Sequence, residues 1–461
     1  MGTDMTGPDH DKVVDVPLLD YHEFGTPEDF DDVKVRIQAA LAAVIMSKET
    51  VRPAAVLFHN SSLGKNVAAS AAFAETARQW GCDQIRFFPI LHDFAEEGRT
   101  AMINQINTVG GWGRPIYEDL YCAGAPVTFV VPGKQTFHIL DKLNFPVKLL
   151  PNSVRAGIVD SDKDTLRAQL TIYAKSNCFS FDVSRPVWYH SSRIIRRKNI
   201  LETVFLSIVM EAALVLGPEG TSVTDAPLIA MLQELVQKYR LSILINPLES
   251  ECFRRSGADP VSVMYALCDY AVTTSVAEGF GFGLYEPFLY DRPLLGRHPC
   301  GFMYPCDVST DNLYTVVPVP AVYVEKNELI RRYYEKFGHT ENAVQKAESI
   351  KNAELLDFAD LDIVMQKNLI ERCMADSACR NEWLKILELE HPGWPGTGNM
   401  YKKSQNVLHR NRFTLLEYFS SQNDNSRFWD IFSCIPVKCN HQYEFSKISD
   451  MFQPERMTLL L

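Results

Sequence analysis

The sequence predicts an α/β protein built on two parallel sheets, and three observations carry that prediction. The chain has 461 residues, more than one ordinary core accommodates, which implies two domains. The apolar run 54-AAVLFHN-60, the turn SSLGK, the segment 66-NVAASAAFAETARQWG-81 and the run 85-IRFFPILHD-93 read as strand, turn, helix and strand, the signature of a βαβ unit. The same alternation restarts at 186-PVWYH-190.

Each element has its own justification. Residues 1–28 are polar and punctuated by Pro and Gly, and read as an N-terminal arm. Val35, Ile37, Leu41 and Ile45 lie at helical spacing and predict a helix over Val33–Met46. In the helix 66–81, Asn66 is placed as N-cap and Gly81 as the C′ residue. The first series continues with 126-PVTFVV-131, a helix from Gln135 to Leu143, and 146-PVKLLPN-152. The second adds helices over Ile200–Leu216 and Ala226–Tyr239, then 241-LSILINP-247 and 270-YAVTTS-275. Two successive series describe two Rossmann-like domains, with a boundary near Pro151–Asp164. The expected organisation is an arm (1–28), a first domain (29–155), a second (156–367) and a partly helical C-terminal extension (368–461).

A net charge of −11 argues against a dedicated nucleic-acid binder, which needs an electropositive surface for phosphates. The eleven cysteines form no C-x-x-C or paired zinc spacing, as expected of reduced thiols in a cytoplasmic protein. The start MGTDMTGPDHDK is acidic and polar and lacks an apolar signal core. Glu202 and Glu211 make Ile200–Leu216 a core segment and not a membrane span.

Two stretches stand out chemically. In 275-SVAEGFGFGLYEPF-288, Gly279, Gly281 and Gly283 lie between Glu278 and Glu286, after a strand and at the start of a helix near Phe282–Leu284. The glycines come late in the second series and lack the G-x-G-x-x-G spacing, so a dinucleotide fingerprint is not expected. Proline is tolerated in a first helical turn, so Pro287 limits how far upstream this helix can start. Glycines admit a ligand to the backbone, and free N–H groups at a helix start favour an anion such as a pyrophosphate. The two carboxylates suit sugar hydroxyls; a glycine bend flanked by solvated glutamates is the bland alternative. The second stretch is 191-SSRIIRRKNILETV-204, where Arg193, Arg196, Arg197 and Lys198 precede a helix whose start carries the capping-box-like pair Asn199 and Glu202. Cations at a helix N-terminus oppose the macrodipole unless an anion sits there. Arg193 can grip phosphate oxygens bidentately and Lys198 supplies a point charge; a solvated basic turn is the alternative.

Glu278-x7-Glu286, following a βαβ series, resembles the E-x7-E motif of retaining GT-B glycosyltransferases of the glycogen-synthase and mannosyltransferase type, in a divergent form. Arg193-x4-Lys198 looks like the Arg/Lys pair that holds the donor diphosphate in that family, and 151-PNSV-154 is similar to its domain-closing P-N-G-V. The turn 59-HNSSLGKN-66 sits where the family places an acceptor-side glycine loop, supplying His59, Asn60, Gly64 and Lys65. The likeness runs over residues 54 to 300 or so. It departs at Ser192, Asp291 and Ser153, each standing where the family has glycine.

The resemblance implies a GT-B fold, two Rossmann-like domains facing a cleft with a C-terminal appendage, the acceptor in the first and the donor in the second. It implies transfer of a hexose, glucose or mannose, from a nucleotide-diphosphate sugar such as UDP-glucose or GDP-mannose to an acceptor hydroxyl, with retained configuration. Glu286 is then expected at the ribose, Glu278 at the hydroxyls of the transferred sugar, and Phe280, Gly281, Phe282 and Gly283 along the sugar and diphosphate. Arg193 and Lys198 are expected to neutralise the leaving group. His92, with Asp93 beside it, is the candidate near the anomeric carbon, and His59 is the runner-up. No cofactor and no metal are expected, since the basic pair serves the phosphates; Asp160-Ser161-Asp162 matches D-x-D but reads as a solvated loop or helix cap. The expected partners are the donor and a small-molecule or glycan acceptor, with no nucleic acid and no transmembrane segment; a homo-oligomer is compatible with all of this. A GT-B phosphorylase or epimerase, and a catalytically silent sugar-nucleotide-binding protein, are the alternatives.

Overall fold

The computed structural model describes residues 17–47, 52–96, 99–152, 154, 162–220, 222–247, 259–390, 397–422 and 431–432. They fall into two units: one holds the described residues up to Pro151 with Ile431 and Phe432, the other those from Asn152 to Gln422. The fold class is α/β, with a parallel Rossmann-like sheet in each unit.

In the first unit, α1 (Pro27–Ile45) precedes β1 (Ala54–His59), α2 (Val67–Trp80), β2 (Ile85–Ile90), α3 (Thr100–Gly111), α4 (Ile116–Leu120), β3 (Phe129–Val131), α5 (Lys134–Lys142) and β4 (Val147–Leu149). The strands lie in the order β1-β2-β3-β4 and pair in parallel. Thr26 caps α1 by accepting from the Asp29 N–H, and Pro27 supplies a preset first-turn φ, so the helix starts six residues before the apolar spacing that predicted it. Asn66 caps α2 as expected, its side chain accepting from Ala69 N–H. Val67 through Ala74 are all buried, since small side chains let this helix lie close to its neighbours. Phe88 and Val130, on the sheet, pack with Ile431 and Phe432.

The second unit contains α6 (Lys163–Ser176), β5 (Val187–His190), α7 (Ile200–Val209), β6 (Ala213–Leu216), α8 (Ala226–Tyr239), β7 (Ile243–Ile245), α9 (Pro260–Leu267), β8 (Tyr270–Thr273), α10 (Phe282–Leu289), β9 (Leu294–Arg297) and β10 (Leu313–Tyr314). There follow β11 (Pro318–Pro320), α11 (Lys326–Phe337), α12 (Glu341–Asn352), β12 (Leu355–Asp357), α13 (Ile363–Ala375), α14 (Ser377–Glu390) and α15 (Thr397–Gln422). The main sheet has the order β10-β9-β8-β5-β6-β7, all parallel, and β11 pairs antiparallel with β12. Every residue of β5, β6 and β9 is buried, as a sheet covered on both faces demands. Trp188 enters the core under α7, α8, α13 and α14, while Val187 and Tyr189 enter the opposite core under α6, α9, α10 and α15. The helix α13 runs through position 367 and packs on α7 and α8. No described helix is long and apolar enough to cross a membrane.

Several local expectations are corrected. The segment Ile200–Leu216 is not one helix: α7 stops at Val209 and Ala213–Leu216 is the strand β6. Glu211 takes a left-handed φ of 55°, and Ala212 N–H bonds back to Ser207 C=O, a Schellman-type stop without glycine. Gly81 ends α2 with an extended φ of −65° and not a left-handed one; it is small because a Cβ would meet Pro126 Cγ at 2.4 Å. Pro287 is the sixth residue of α10, well past its first turn, and the carbonyl that it leaves without a helical donor is that of Gly283. The side chains of Asn199 and Glu202 form no capping box: Asn199 Nδ2 donates to Glu202 Oε2 at 2.7 Å, and no side chain caps the helix. Glu202 instead receives Arg297 through Nε at 2.9 Å and Nη2 at 2.6 Å, and Arg297 also grips Asp357, all buried.

Candidate functional site

Chain order reverses once in the six-stranded sheet. From β5 the chain moves to β6 and β7 on one side, then returns to lay β8 on the other side of β5. The carboxyl ends of β5 and β8 therefore diverge at a switch point, where doubly wound sheets open a crevice for ligands. The loop after β5 is the one carrying Arg193, Arg197 and Lys198; the loop after β8 carries Glu278 and the glycines.

These loops are stitched together. Val276 N–H donates to Arg197 C=O at 3.0 Å, and Arg197 Nη1 donates to Ala277 C=O at 3.1 Å. The Ser275 hydroxyl donates to Ala277 C=O at 2.8 Å, and the Thr274 hydroxyl lies 3.0 Å from the carbonyl oxygens of both Lys198 and Asn199. Lys198 Nζ meets Glu278 Oε1 at 2.5 Å, with the two side chains only 10% and 6% exposed. Burial pushes the Glu278 carboxyl up, but Lys198 and then Arg197 outweigh it, and its pKa lies below the ordinary value. Burial lowers the Lys198 pKa against the pull of Glu278, with Arg197 and Arg193 adding repulsion. The anion that the basic turn demanded is thus partly supplied from within, by Glu278.

Beyond that pair the site is uncompensated. Arg193 is exposed and has no ion pair among the described residues. The first turn of α10 begins after Gly281, whose φ of +89° is left-handed and whose absent Cβ would stand 2.5 Å from Phe302 Cζ. At Gly283 a Cβ would meet only the hydroxyls of Ser192 at 3.5 Å and Ser191 at 4.0 Å, so both serines border this helix start. Phe280 is buried and packs on Tyr285 and Phe419, whereas Phe282 is 39% exposed. The carboxyl group of Glu286, one turn into α10, makes no hydrogen bond among the described residues; burial, then the charge of Asp259, raises its pKa to about 7. Asp291 has a left-handed φ of 59°, and its carboxylate receives Arg412.

His190 is not among the residues predicted from the sequence. It is the last residue of β5, 1% exposed, and neither ring nitrogen has a hydrogen-bond partner among the described residues. Burial, then the charge of Lys198, lowers its pKa to about 4, so the ring is neutral at physiological pH. A polar residue closing an otherwise apolar strand, just before the basic loop, was the available signal.

The first unit holds the other candidates. His59 closes β1, and Asn60 turns the chain with a left-handed φ of 60°. Asn60 Oδ1 accepts from His92 N–H at 2.9 Å, which brings the turns after β1 and β2 together. His59 Nδ1 and His92 Nε2 lie 3.3 Å apart, with near-parallel rings inclined by 6°. Burial lowers both pKa values, and His59 further disfavours a proton on His92. Asp93 directs its carboxylate to Arg99 at 2.8 Å. Gly64 is left-handed at φ +74°, and Lys65 Nζ lies 4.0 Å over the Tyr21 ring. Among the described residues no cluster of three or more metal-ligating side chains occurs. Asp162 is the N-cap of α6, accepting from Thr165 N–H at 3.0 Å; Ser153, Asp160 and Ser161 lie outside the described residues.

No family model and no curated protein matches the chain. Among solved structures it is similar to the sucrose-phosphate synthase of Thermosynechococcus elongatus, at 13% identity over 86% of this chain and 80% of that one, TM-score 0.44. It is similar to the catalytic domain of starch synthase IV from Arabidopsis thaliana, at 12% identity over 78% and 79%, TM-score 0.42. A third likeness is to the E. coli trehalose-6-phosphate structure bound with UDP-2-fluoro glucose, at 11% identity over 88% and 79%, TM-score 0.41.

Proposed function

We propose that this protein is a retaining glycosyltransferase of GT-B type, moving a hexose from a nucleotide-diphosphate sugar to an acceptor hydroxyl. The observation that carries this reading is the switch point. The basic loop and the glycine–glutamate loop leave neighbouring strands there, and they are joined by the Lys198–Glu278 pair beside the start of α10.

Each part has a chemical task. The diphosphate takes the backbone N–H groups at Phe282 and Gly283, the hydroxyls of Ser191 and Ser192, and the charge of Arg193. As the donor enters, Lys198 is shared between the phosphate and Glu278, and Glu278 gains hydrogen bonds from sugar hydroxyls. The unpartnered carboxyl of Glu286 accepts from the ribose. When the glycosidic bond breaks, negative charge builds on the departing phosphate, and the preorganised cations stabilise it most at that moment. The phosphate itself then helps deprotonate the acceptor on the same face. Glu278 and Glu286 serve binding, so the paired-carboxylate logic of glycosidases does not apply. His92, with Asp93 nearby, serves the acceptor side, within a loop set that includes His59, Asn60, Gly64 and Lys65.

A thermal-shift panel of UDP- and GDP-sugars tests the donor site, followed by assay of nucleotide release with and without candidate acceptors. At least one nucleotide sugar is expected to stabilise the wild type, and Arg193→Ala and Glu286→Ala are each expected to abolish most of the shift. A response to no donor, or one that both substitutions leave unchanged, sinks the assignment. Stabilisation without turnover toward any acceptor, unaltered by His92→Ala, would favour a silent nucleotide-sugar binder.

A further inference from the structure

At the opposite end of the same strands lies a polar cavity of about 570 Å³, beside the amino ends of β5, β8 and β9. Four cationic side chains line it, Lys163, Arg167, Arg185 and Arg292, against two carboxylates, Asp269 and Asp291. The internal pairing does not balance them. Asp269 accepts from Lys163 at 2.7 Å, from Arg167 at 2.5 Å and from Val187 N–H at 2.7 Å, so one negative charge faces two positive ones. Asp291 is engaged by Arg412 at 2.5 Å. Arg292 donates to the carbonyls of Tyr265, Ala266 and Asp291 and to no carboxylate among the described residues. Among the described residues Arg185 pairs only with Asp182, at 3.2 Å, and both are about half-exposed. The outer partners Arg412 and Asp182 cancel each other, and the walls keep an excess of two positive charges in a chain of net charge −11.

Cations of like sign collected around one space repel each other, and a dianion relieves that repulsion. Arginine and lysine together offer the forked and point-like donors that phosphate oxygens accept. The volume lies in the range of small-molecule sites. We propose that this cavity binds the phosphate group of a phosphorylated small molecule, at a place distinct from the switch-point site. The two sites lie at opposite ends of the strands: one follows His190 and Thr273, the other precedes Val187 and Tyr270. Residues 291 and 292, just past the C-cap Tyr290 of α10, line the cavity, while the other end of that helix borders the switch point.

The test is calorimetric titration of the full chain with inorganic phosphate at neutral pH and constant ionic strength. Wild type, Arg193→Ala and the double variant Lys163→Gln/Arg185→Ala are compared. Arg193→Ala removes phosphate held at the switch point and is expected to retain a binding event of its own, which the double variant weakens about tenfold or abolishes. Arg185→Glu, a change at an exposed side chain, is expected to weaken binding by itself and serves if the double variant folds poorly. Absence of phosphate binding to wild type overturns the proposal. So does binding that these substitutions leave unchanged, or that Arg193→Ala alone removes, since the last places the anion at the switch point. None of these outcomes depends on whether a nucleotide sugar is the donor.

Discussion

Glu278 and Glu286 bracket the same glycine loop and are the same residue type, yet they are held in opposite electrostatic states. Glu278 is fastened to Lys198 at 2.5 Å, and its pKa is held below the ordinary range. Glu286 has no partner among the described residues and its pKa is raised to about 7. What separates them is where the nearest cation stands, on the loop after β5, which reaches one glutamate and not the other. The lesson is that an eight-residue spacing puts two carboxylates on one loop and helix start, whereas a second loop decides which of them is already paired.

The largest effect should come from breaking the occupied side. Lys198→Met removes the cation paired with the buried Glu278 carboxylate and leaves only the charge of Arg197 near it, and a loss of about 3–5 kcal/mol in unfolding free energy is expected by urea denaturation at neutral pH. Lys198→Met/Glu278→Gln removes both charges and should recover most of that loss. A single variant within 1 kcal/mol or so of wild type would mean that the pair contributes little and that the contrast with Glu286 is false.

The unoccupied side predicts a pH dependence of opposite character. A carboxyl whose folded pKa is raised holds its proton more tightly in the native state. Its contribution is therefore most favourable below the unfolded value of 4.5 and is lost as pH rises through about 7. Glu286→Gln removes this loss, so the variant should gain stability relative to wild type as pH rises through that window. The gain reaches at most about 3 kcal/mol above it, the shift converted at 1.36 kcal/mol per unit. On the proposed function, nucleotide-sugar affinity of the wild type should also rise with pH around 7, as the carboxylate becomes a charged acceptor for the ribose, and Glu286→Gln should flatten that profile. A stability difference that does not change between pH 5 and pH 8 or so would place the carboxyl in ordinary solvent.

Much of this was legible in the sequence, for reasons that are local. Apolar runs bounded by turn residues located β1, β2 and β5, and Asn66 announced the start of α2 because a side-chain cap is a short-range device. The end of α7 was hidden, because a left-handed Glu211 stops a helix without the glycine that usually signals it. The two loops that make the switch point could be named, but not the fact that they touch, since the pairing of β8 with β5 spans more than eighty residues of chain. For the same reason nothing local assigned Lys198 to Glu278, or Glu202 to Arg297. A polar residue closing an apolar strand is a faint sequence signal for His190, and its unpartnered ring nitrogens are visible only once the core is packed.

The smallest expected effect concerns the histidines of the first unit, where neither ring has a full counter-charge. His59 Nδ1 and His92 Nε2 can share one proton across 3.3 Å, but two protonated rings would repel. Both pKa values are lowered, so the native state binds fewer protons than the unfolded chain below the ordinary histidine value of 6.5. Stability from the pair is complete above that value and falls as pH drops through it. A double-mutant cycle with His59→Ala, His92→Ala and the double variant should give a favourable coupling of about 0.5–1.5 kcal/mol above neutral pH, the worth of one hydrogen bond. The coupling should shrink toward zero or reverse near pH 5 or so, as the second proton arrives. A coupling absent at every pH would show that the rings are neighbours without a shared proton, and would leave Asn60, through its bond to His92 N–H, as the link between the two turns.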